Sequence, residues 1–299
     1  MKDLMDLGKK VAIAGGKEAM NYFRKSDLNF KNKSKTHFDP VSKADKNTET
    51  VMRNLILKFR PNDTIIGEEN NSVVGSSGLS WIIDPIDGTR GFMAGQTSWT
   101  VLISLSEGEK PLFGIIYQPF SNEMFIGDQY SCEYLHQGKI KKIFVKKCNN
   151  ISDAIIHTTD PNMGNCKENS AMEALRNHCK LARYSLDAYA YGLVAFGNID
   201  LIVESSMQIY DIQAPLCIIK AAGGTFSDWN GGNDFKSYQD EDVDGEHKKK
   251  VISESVKSFL IKSPIQITVK GREFMTGDNN YTIGRIIRIL FLDHVSTSE

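Results

Sequence analysis

Two carboxylates and a glycine turn stand where an apolar run of the chain ends. In Trp81 to Phe92, WIIDPIDGTRGF, the run leads into Asp84 and Asp87 and is broken by Gly88 before Thr89. Asp-Pro and Asp-Gly are ordinary turn dipeptides, so the string alone fits a hairpin turn equally well. Its company argues for chemistry. Gly67-Glu68-Glu69 closes the preceding apolar run, where adjacent acids are expected to project beside a neighbouring strand's end. Asp211 opens a helical pattern that runs into Ala221-Ala222-Gly223-Gly224, and Asp45 begins another in KADKNTE. Either aspartate would also serve as a helix cap. Gathered together, several carboxylates repel one another unless a cation neutralises them, and oxygen donors without His or Cys suit Mg2+ or Mn2+. The histidines form no H-E-x-x-H pattern, which disfavours zinc. Backbone N–H groups at Gly88 and Thr89 would face an anion beside the cation. Such a nest of carboxylates, divalent cations and an anion describes a site for phosphate transfer or hydrolysis.

These residues need elements to hold them. Leu4, Leu7, Val11, Ala14, Met20 and Phe23 recur at helical spacing, which predicts an amphipathic helix over residues 3 to 25. Val51, Met52, Leu55 and Phe59 predict a second between Asp45 and Pro61, where the proline stops it. The polar segment KSKTHFDPVSKAD between them reads as a loop or short hairpin. Short apolar runs bounded by Gly, Pro, Asn and Asp then predict strands at Thr64 to Gly67, Trp81 to Ile83, Val101 to Leu105, Leu112 to Tyr117, Glu123 to Ile126 and Tyr134 to Leu135. Residues 1 to 150 thus read as two helices on one face of an antiparallel or mixed sheet. The half from 151 to 299 alternates: strands at Ala154 to Thr158, Leu181 to Ser185 and Asp200 to Val203, with helices near Glu168 to His178, over Asp187 to Phe196 and from about Ile212. That alternation points to an α/β layered half. Residues 233 to 272, with an acidic block followed by a basic one, read as a solvated insertion.

Composition excludes much else. The 299 residues carry 36 Lys+Arg against 37 Asp+Glu, a net charge of −1 that gives no electrostatic case for nucleic acid or an anionic membrane. At 40% apolar and 24% charged residues the chain is an ordinary globular protein rather than a disordered one. The 5 cysteines are odd in number, scattered and never spaced C-x-x-C, which fits a reducing cytoplasm. The amino terminus lacks the apolar core of a signal peptide, and no stretch reaches the roughly 18 apolar residues of a membrane span. The expected location is therefore the cytoplasm.

Gly67-Glu68-Glu69, DPIDGTRGF at 84 to 92, and Asp211 with its helix ending AAGG together resemble the Mg2+-dependent, lithium-sensitive inositol monophosphatase superfamily over most of residues 5 to 232. The resemblance implies an α+β fold, a layered αβαβα sandwich, usually dimeric, with the active site between its halves and a small phosphorylated metabolite as substrate. Phe38 to Asp45 (FDPVSKAD), Gly114 to Phe120 (GIIYQPF) and Asp187 to Gly192 (DAYAYG) resemble the histidinol-phosphatase branch. Carried over residue by residue, Glu68, Asp84, the carbonyl of Ile86, Asp87 and Asp211 match metal ligands for two or three Mg2+ ions, and Asp45 the acid beside a weaker further cation. Thr89 with Glu68 matches the pair that positions and deprotonates the attacking water, and Glu69 orients the site from behind. The Gly88 and Thr89 amides would hold the phosphate. Glu204, seven residues before Asp211, matches an acid that recognises a hydroxyl or amine, with Asp187 and Arg183 as further substrate-pocket candidates.

The chain departs from the family in carrying Tyr210 where Trp commonly precedes the metal-binding aspartate, an exchange that preserves an aromatic neighbour. FMTGDNNY at 274 to 281 resembles the family's closing element, beyond the insertion. Inositol phosphate, adenosine 3',5'-bisphosphate and a fructose bisphosphate remain rival substrates of the same site. A regulatory RNA-associated scaffold is a rival of another class, and Lys139 to Lys147 (KIKKIFVKK) is the feature that would support it. Lysines guarding an edge strand explain that segment better, since a net charge near zero lacks the basic excess of a nucleic-acid binder.

Overall fold

The computed structural model describes residues 1–25, 31–32, 40–41, 43–162, 166–205 and 207–228, with three further strands at 258–262, 267–269 and 272–274. Helix α1 (Lys2–Met20) is followed by the two-residue strands β1 (Lys31–Asn32) and β2 (Pro40–Val41), paired antiparallel, and by α2 (Lys43–Phe59). The first helix ends short of residue 25. Its apolar stripe nevertheless continues in a turn, where Phe23 is buried against Phe92 and Trp99.

Strands β3 (Thr64–Gly67) and β4 (Leu79–Asp87) come next, then the one-turn helix α3 (Thr89–Met93). Five strands complete the sheet: β5 (Thr100–Glu107), β6 (Lys110–Gln118), β7 (Glu123–Asp128), β8 (Cys132–His136) and β9 (Lys139–Lys142). They lie in sequence order from β3 to β9, with β3 and β4 parallel and every later pair antiparallel. A tight turn suffices for an antiparallel pair, whereas the parallel pair needs a longer connection, and that connection begins at Glu68. The central strands read as unbroken apolar runs because both faces are covered. Trp81, Ile83, Val101, Ile103 and Ile115 share a core with α1 and α2, while Ile82, Leu102, Ile116 and Phe125 share one with the helices on the other side. Strand β9 is the exposed outer strand, and its three lysines lie where they discourage pairing with another chain.

The second half supplies β10 (Ile155–Thr158), α4 (Cys166–His178), β11 (Leu181–Tyr184), α5 (Tyr189–Ala195), β12 (Leu201–Ser205), α6 (Ile209–Ala221), β13 (Thr225–Asp228) and β14 (Ser258–Lys262). These strands form a second sheet in the order β11-β10-β12-β14-β13. Helices α5 and α6 fill the space between the two sheets, and α4 covers the far face of the second. The five layers are therefore α, β, α, β, α, as the family resemblance implies. One expectation needs correction. Ser258–Lys262 belongs to no solvated insertion: SFLIK is an apolar run that pairs antiparallel with both β12 and β13. Of a last antiparallel pair, β15 (Ile267–Val269) falls inside the expected insertion, and β16 (Arg272–Phe274) runs from its last residue into the first residue of the closing motif. Residues 275 to 281 of the closing motif lie outside the described residues.

No described helix is long and apolar enough to cross a membrane. Cys132, Cys148, Cys179 and Cys217 are all free thiols.

Candidate active site

In an unbroken strand, side chains three positions apart face opposite sides, so Asp84 and Asp87 would diverge. Strand β4 resolves this with an irregularity. Asp84 pairs with Leu102 and Asp87 with Thr100, so three steps along β4 match two along β5. The extra residue returns Asp87 to the side of Asp84. Pro85 sits inside the irregularity, where its missing N–H removes no ladder bond. The Ile86 amide donates back to Asp84 Oδ1 at 3.0 Å, which fixes that carboxylate.

Asp211 arrives from the opposite layer. It is the third residue of α6 rather than its cap, and Asp211 Oδ2 accepts the Gln208 N–H at 2.7 Å in a capping box. Helix α6 comes close to the first sheet because Gly114 of β6 faces the Ala214 backbone, where a Cβ would lie 2.4 Å from its carbonyl oxygen. One oxygen from each of Asp84, Asp87 and Asp211 then lies within 4.8 Å of the other two. Glu68, at the end of β3, joins them through a side-chain hydrogen bond with Asp84. Burial holds the Asp84 carboxyl well above the usual range, and the charges of Glu68, Asp87 and Asp211 push it further. Asp87 is raised in the same way, first by burial and then by Asp187 and Asp211, against a hydrogen bond from the Ala188 amide at 2.6 Å. Carboxyl groups gathered this closely, each ready to give up its proton to a cation, could hold a hard divalent ion.

Asp45 is fully buried in the first turn of α2, within 3.4 Å of the Thr89 hydroxyl, which also lies 3.2 Å from the Ile86 carbonyl oxygen. Gly88 precedes α3 with φ 86°, and a Cβ there would meet the Asp187 carboxyl at 2.8 Å. Asp187 therefore stands beside the Gly88 turn, itself in the left-handed region with φ 49°. Burial pushes its carboxyl up to about 6, opposed by the Arg90 guanidinium. Glu204 is buried near the end of β12, and burial pushes it up to about 8 although Thr159 donates to it from its amide and hydroxyl at 2.8 and 3.0 Å. Glu69 is held by its backbone, whose N–H donates to Glu49 Oε2 at 2.7 Å. Arg183 is not drawn in. It is exposed on β11, the outer strand of the second sheet, and has no hydrogen bond or ion pair with these carboxylates.

Two further polar residues stand around the site that residue type alone does not single out. Tyr191 is buried with its hydroxyl unpartnered, and its ionisation is suppressed by burial and by Glu204, Asp87, Asp211 and Asp187. His157 is fully buried and accepts the Leu186 N–H at Nε2, 3.0 Å away, so its Nδ1 carries the ring proton and faces Glu204 Oε1 at 3.8 Å. In sequence His157 is hidden in the apolar run that predicts β10, and Tyr191 lies in the DAYAYG stretch with nothing to mark its hydroxyl.

An inositol monophosphatase from Zymomonas mobilis has a solved structure that superimposes with a TM-score of 0.69 at 27% identity, covering 87% of this chain and 92% of that one. The fold is thus that of the layered phosphatases. The family model described as the inositol monophosphatase family matches residues 1–260. The chain belongs to that family, and those of its relatives named inositol-1-monophosphatase or histidinol-phosphatase are phosphoric monoester hydrolases. Its relatives include the chloroplastic bifunctional phosphatase IMPL2 of Arabidopsis thaliana, 34% identical over 227 residues. That match covers 75% of this chain and 64% of the plant protein, so the chain spans under two thirds of that relative's length. A histidinol-phosphatase of Chlorobaculum parvum is 29% identical over 227 residues, 76% of this chain and 86% of its own.

Proposed function

We propose that this protein is a divalent-metal-dependent phosphomonoesterase whose substrate is histidinol phosphate. The observation that carries the reading is the meeting of Asp84, Asp87 and Asp211 within 4.8 Å. In this reading Glu68, Asp84, the Ile86 carbonyl, Asp87 and Asp211 hold Mg2+, with Asp45 beside a further ion. When bound there, the cation supplies an activated water near neutral pH and neutralises charge on the phosphoryl oxygens.

The chain's own residues do the rest. The Thr89 hydroxyl has one proton to give, to Asp45 or to the Ile86 carbonyl, and its oxygen is then left to accept from the attacking water. Glu68 takes the water's proton as the new P–O bond forms, the ester P–O bond opposite it breaks, and the departing alkoxide takes a proton from solvent. The Gly88 and Thr89 amides receive the phosphate oxygens and hold the phosphorus in line with the attack. Glu69, tied down by its backbone, keeps Glu68 aimed. Asp187 and Glu204 receive the alcohol portion. Both acids are pushed up, to about 6 and about 8, so a cationic amine that restores their charge complements them better than a neutral polyol does. The histidinol-phosphatase relative supports the same choice.

The test is phosphate release from histidinol phosphate, inositol 1-phosphate, adenosine 3',5'-bisphosphate and fructose 1,6-bisphosphate, each with Mg2+ and with excess chelator. Histidinol phosphate should give the highest kcat/KM, and only with Mg2+. Full activity in chelator refutes the metal reading. A tenfold or greater preference for inositol 1-phosphate refutes the substrate reading and leaves the phosphatase class intact.

A further inference from the structure

Helix α2 turns a buried polar stripe toward the site. Asp45, Glu49 and Arg53 recur one turn apart on one face, and all three are buried, with Arg53 7% exposed. Asp45 reaches Thr89. Glu49 and Arg53 do something else, which the mechanism above leaves unused. The backbone following β3 is wrapped around the Glu49 carboxylate. Its Oε2 accepts the Glu69 N–H at 2.7 Å, and its Oε1 accepts the Asn70 N–H at 3.1 Å and Asn70 Nδ2 at 3.0 Å. Arg53 donates from Nε to Glu49 Oε1 at 2.6 Å. The other arms of its guanidinium donate to the carbonyls of Asn70 and Asn71, at 3.0 and 3.1 Å. On the near side, Gly67 approaches so closely that a Cβ would lie 2.5 Å from Glu49 Oε1.

Glu68 therefore sits between two residues held against one buried ion pair. We infer that Glu49 and Arg53 are positioning residues for the cation: they fix the backbone of residues 67 to 71 and thereby aim Glu68 at the Asp84, Asp87 and Asp211 cluster. This rests on the metal reading proposed above. A loop with no such anchor would have to order itself as the cation binds, and partners of this kind behind metal ligands are worth 10–100-fold in affinity. A packing role alone would lower stability without changing cation affinity.

The test uses Glu49→Gln, which preserves shape and one acceptor oxygen but sets an NH2 group against a backbone donor. Arg53→Lys keeps the charge but lacks the fork that spans two carbonyls. Mn2+ binding to the full chain is titrated from the electron-spin signal of the free ion, and Mg2+ dependence of phosphate release is measured in parallel. Glu49→Gln should weaken Mn2+ binding about 10–100-fold, with kcat returning toward the wild-type value at saturating Mg2+. Arg53→Lys should show a smaller loss of the same kind. A folded variant of either type with wild-type Mn2+ affinity overturns the inference and leaves the metal reading standing. If Glu49→Gln does not fold, Arg53→Lys decides. A wild-type protein that takes up no Mn2+ overturns both.

Discussion

Replacing Asp84 by Asn should change the protein's stability in opposite directions with and without metal. Asp84 is 1% exposed, and its Oδ1 accepts the Ile86 amide, a bond that the Asn carbonyl can keep. The substitution therefore removes a charge with little change of shape. Two unit charges 4.8 Å apart repel by about 3.5 kcal/mol at an effective dielectric constant of about 20. The folded protein avoids most of that by binding protons, as the raised Asp84 and Asp87 carboxyls show, so the relief on removing one charge is a fraction of it, about 1–2 kcal/mol. The sign with pH follows. A carboxyl raised in the folded state holds a proton that the unfolded chain releases, so metal-free wild-type stability falls as pH rises above the ordinary carboxylate range. At pH 8 in chelator, thermal unfolding of Asp84→Asn should occur roughly 2–4 °C above wild type. With Mg2+ at about 100 times its dissociation constant the wild type gains about 2.7 kcal/mol, and the variant, missing a charged ligand, gains little. The order of the melting temperatures should invert. A variant that melts below wild type in chelator, or a wild type indifferent to Mg2+, would refute the claim that these carboxylates form a cation site.

Three further outcomes follow from the same geometry. Asp211→Asn should reduce phosphate release by more than the roughly 10–100-fold that losing an outer partner of a metal ligand costs, while circular dichroism shows a folded protein, because Asn still caps Gln208 but brings no charge to the cluster. Gly88→Ala should destabilise by about 1–2 kcal/mol for a side chain in the left-handed region, and should raise KM because the new Cβ displaces Asp187. Burial holds His157 down to about 4 from 6.5, so it folds neutral while the unfolded chain takes up a proton. Stability present above pH 6.5 should therefore be lost as the pH falls toward 4, by up to about 3 kcal/mol, and chemical denaturation of His157→Gln across that window should show a flatter profile.

Much of the scaffold could be read from periodicity. The helix over Lys43–Phe59, the strand at Thr64–Gly67 and the alternation beyond residue 150 are local patterns, set by which residues recur at helical or strand spacing. Ser258–Lys262 does not stand out as a core strand because the charged blocks before it dominate the local composition, while its place between β12 and β13 depends on partners far away in the chain. The acidic positions were also visible as residue types in strand-end and helix-start settings. Their convergence was not. Asp84 and Asp87 share a side only because the register against β5 slips by one residue, and register belongs to a pair of strands, not to one.

Asp211 shows the division most clearly. The chain alone marks it as an acid at a helix start, where a cap and a metal ligand demand the same residue type. Tertiary packing seats α6 against Gly114 and brings a carboxylate that already caps a helix to within 4.8 Å of two others. Arg183 marks the converse: a plausible residue type whose strand lies at the sheet's outer edge. Glu49 and Arg53 look in sequence like an ordinary surface ion pair one turn apart. Only the folded chain buries them and lays the backbone of Glu69 and Asn70 across them. Local pattern decides which elements form, because it acts through neighbours in the chain. Which side chains meet is settled by the packing of layers, because that depends on residues as far apart as Glu68 and Asp211.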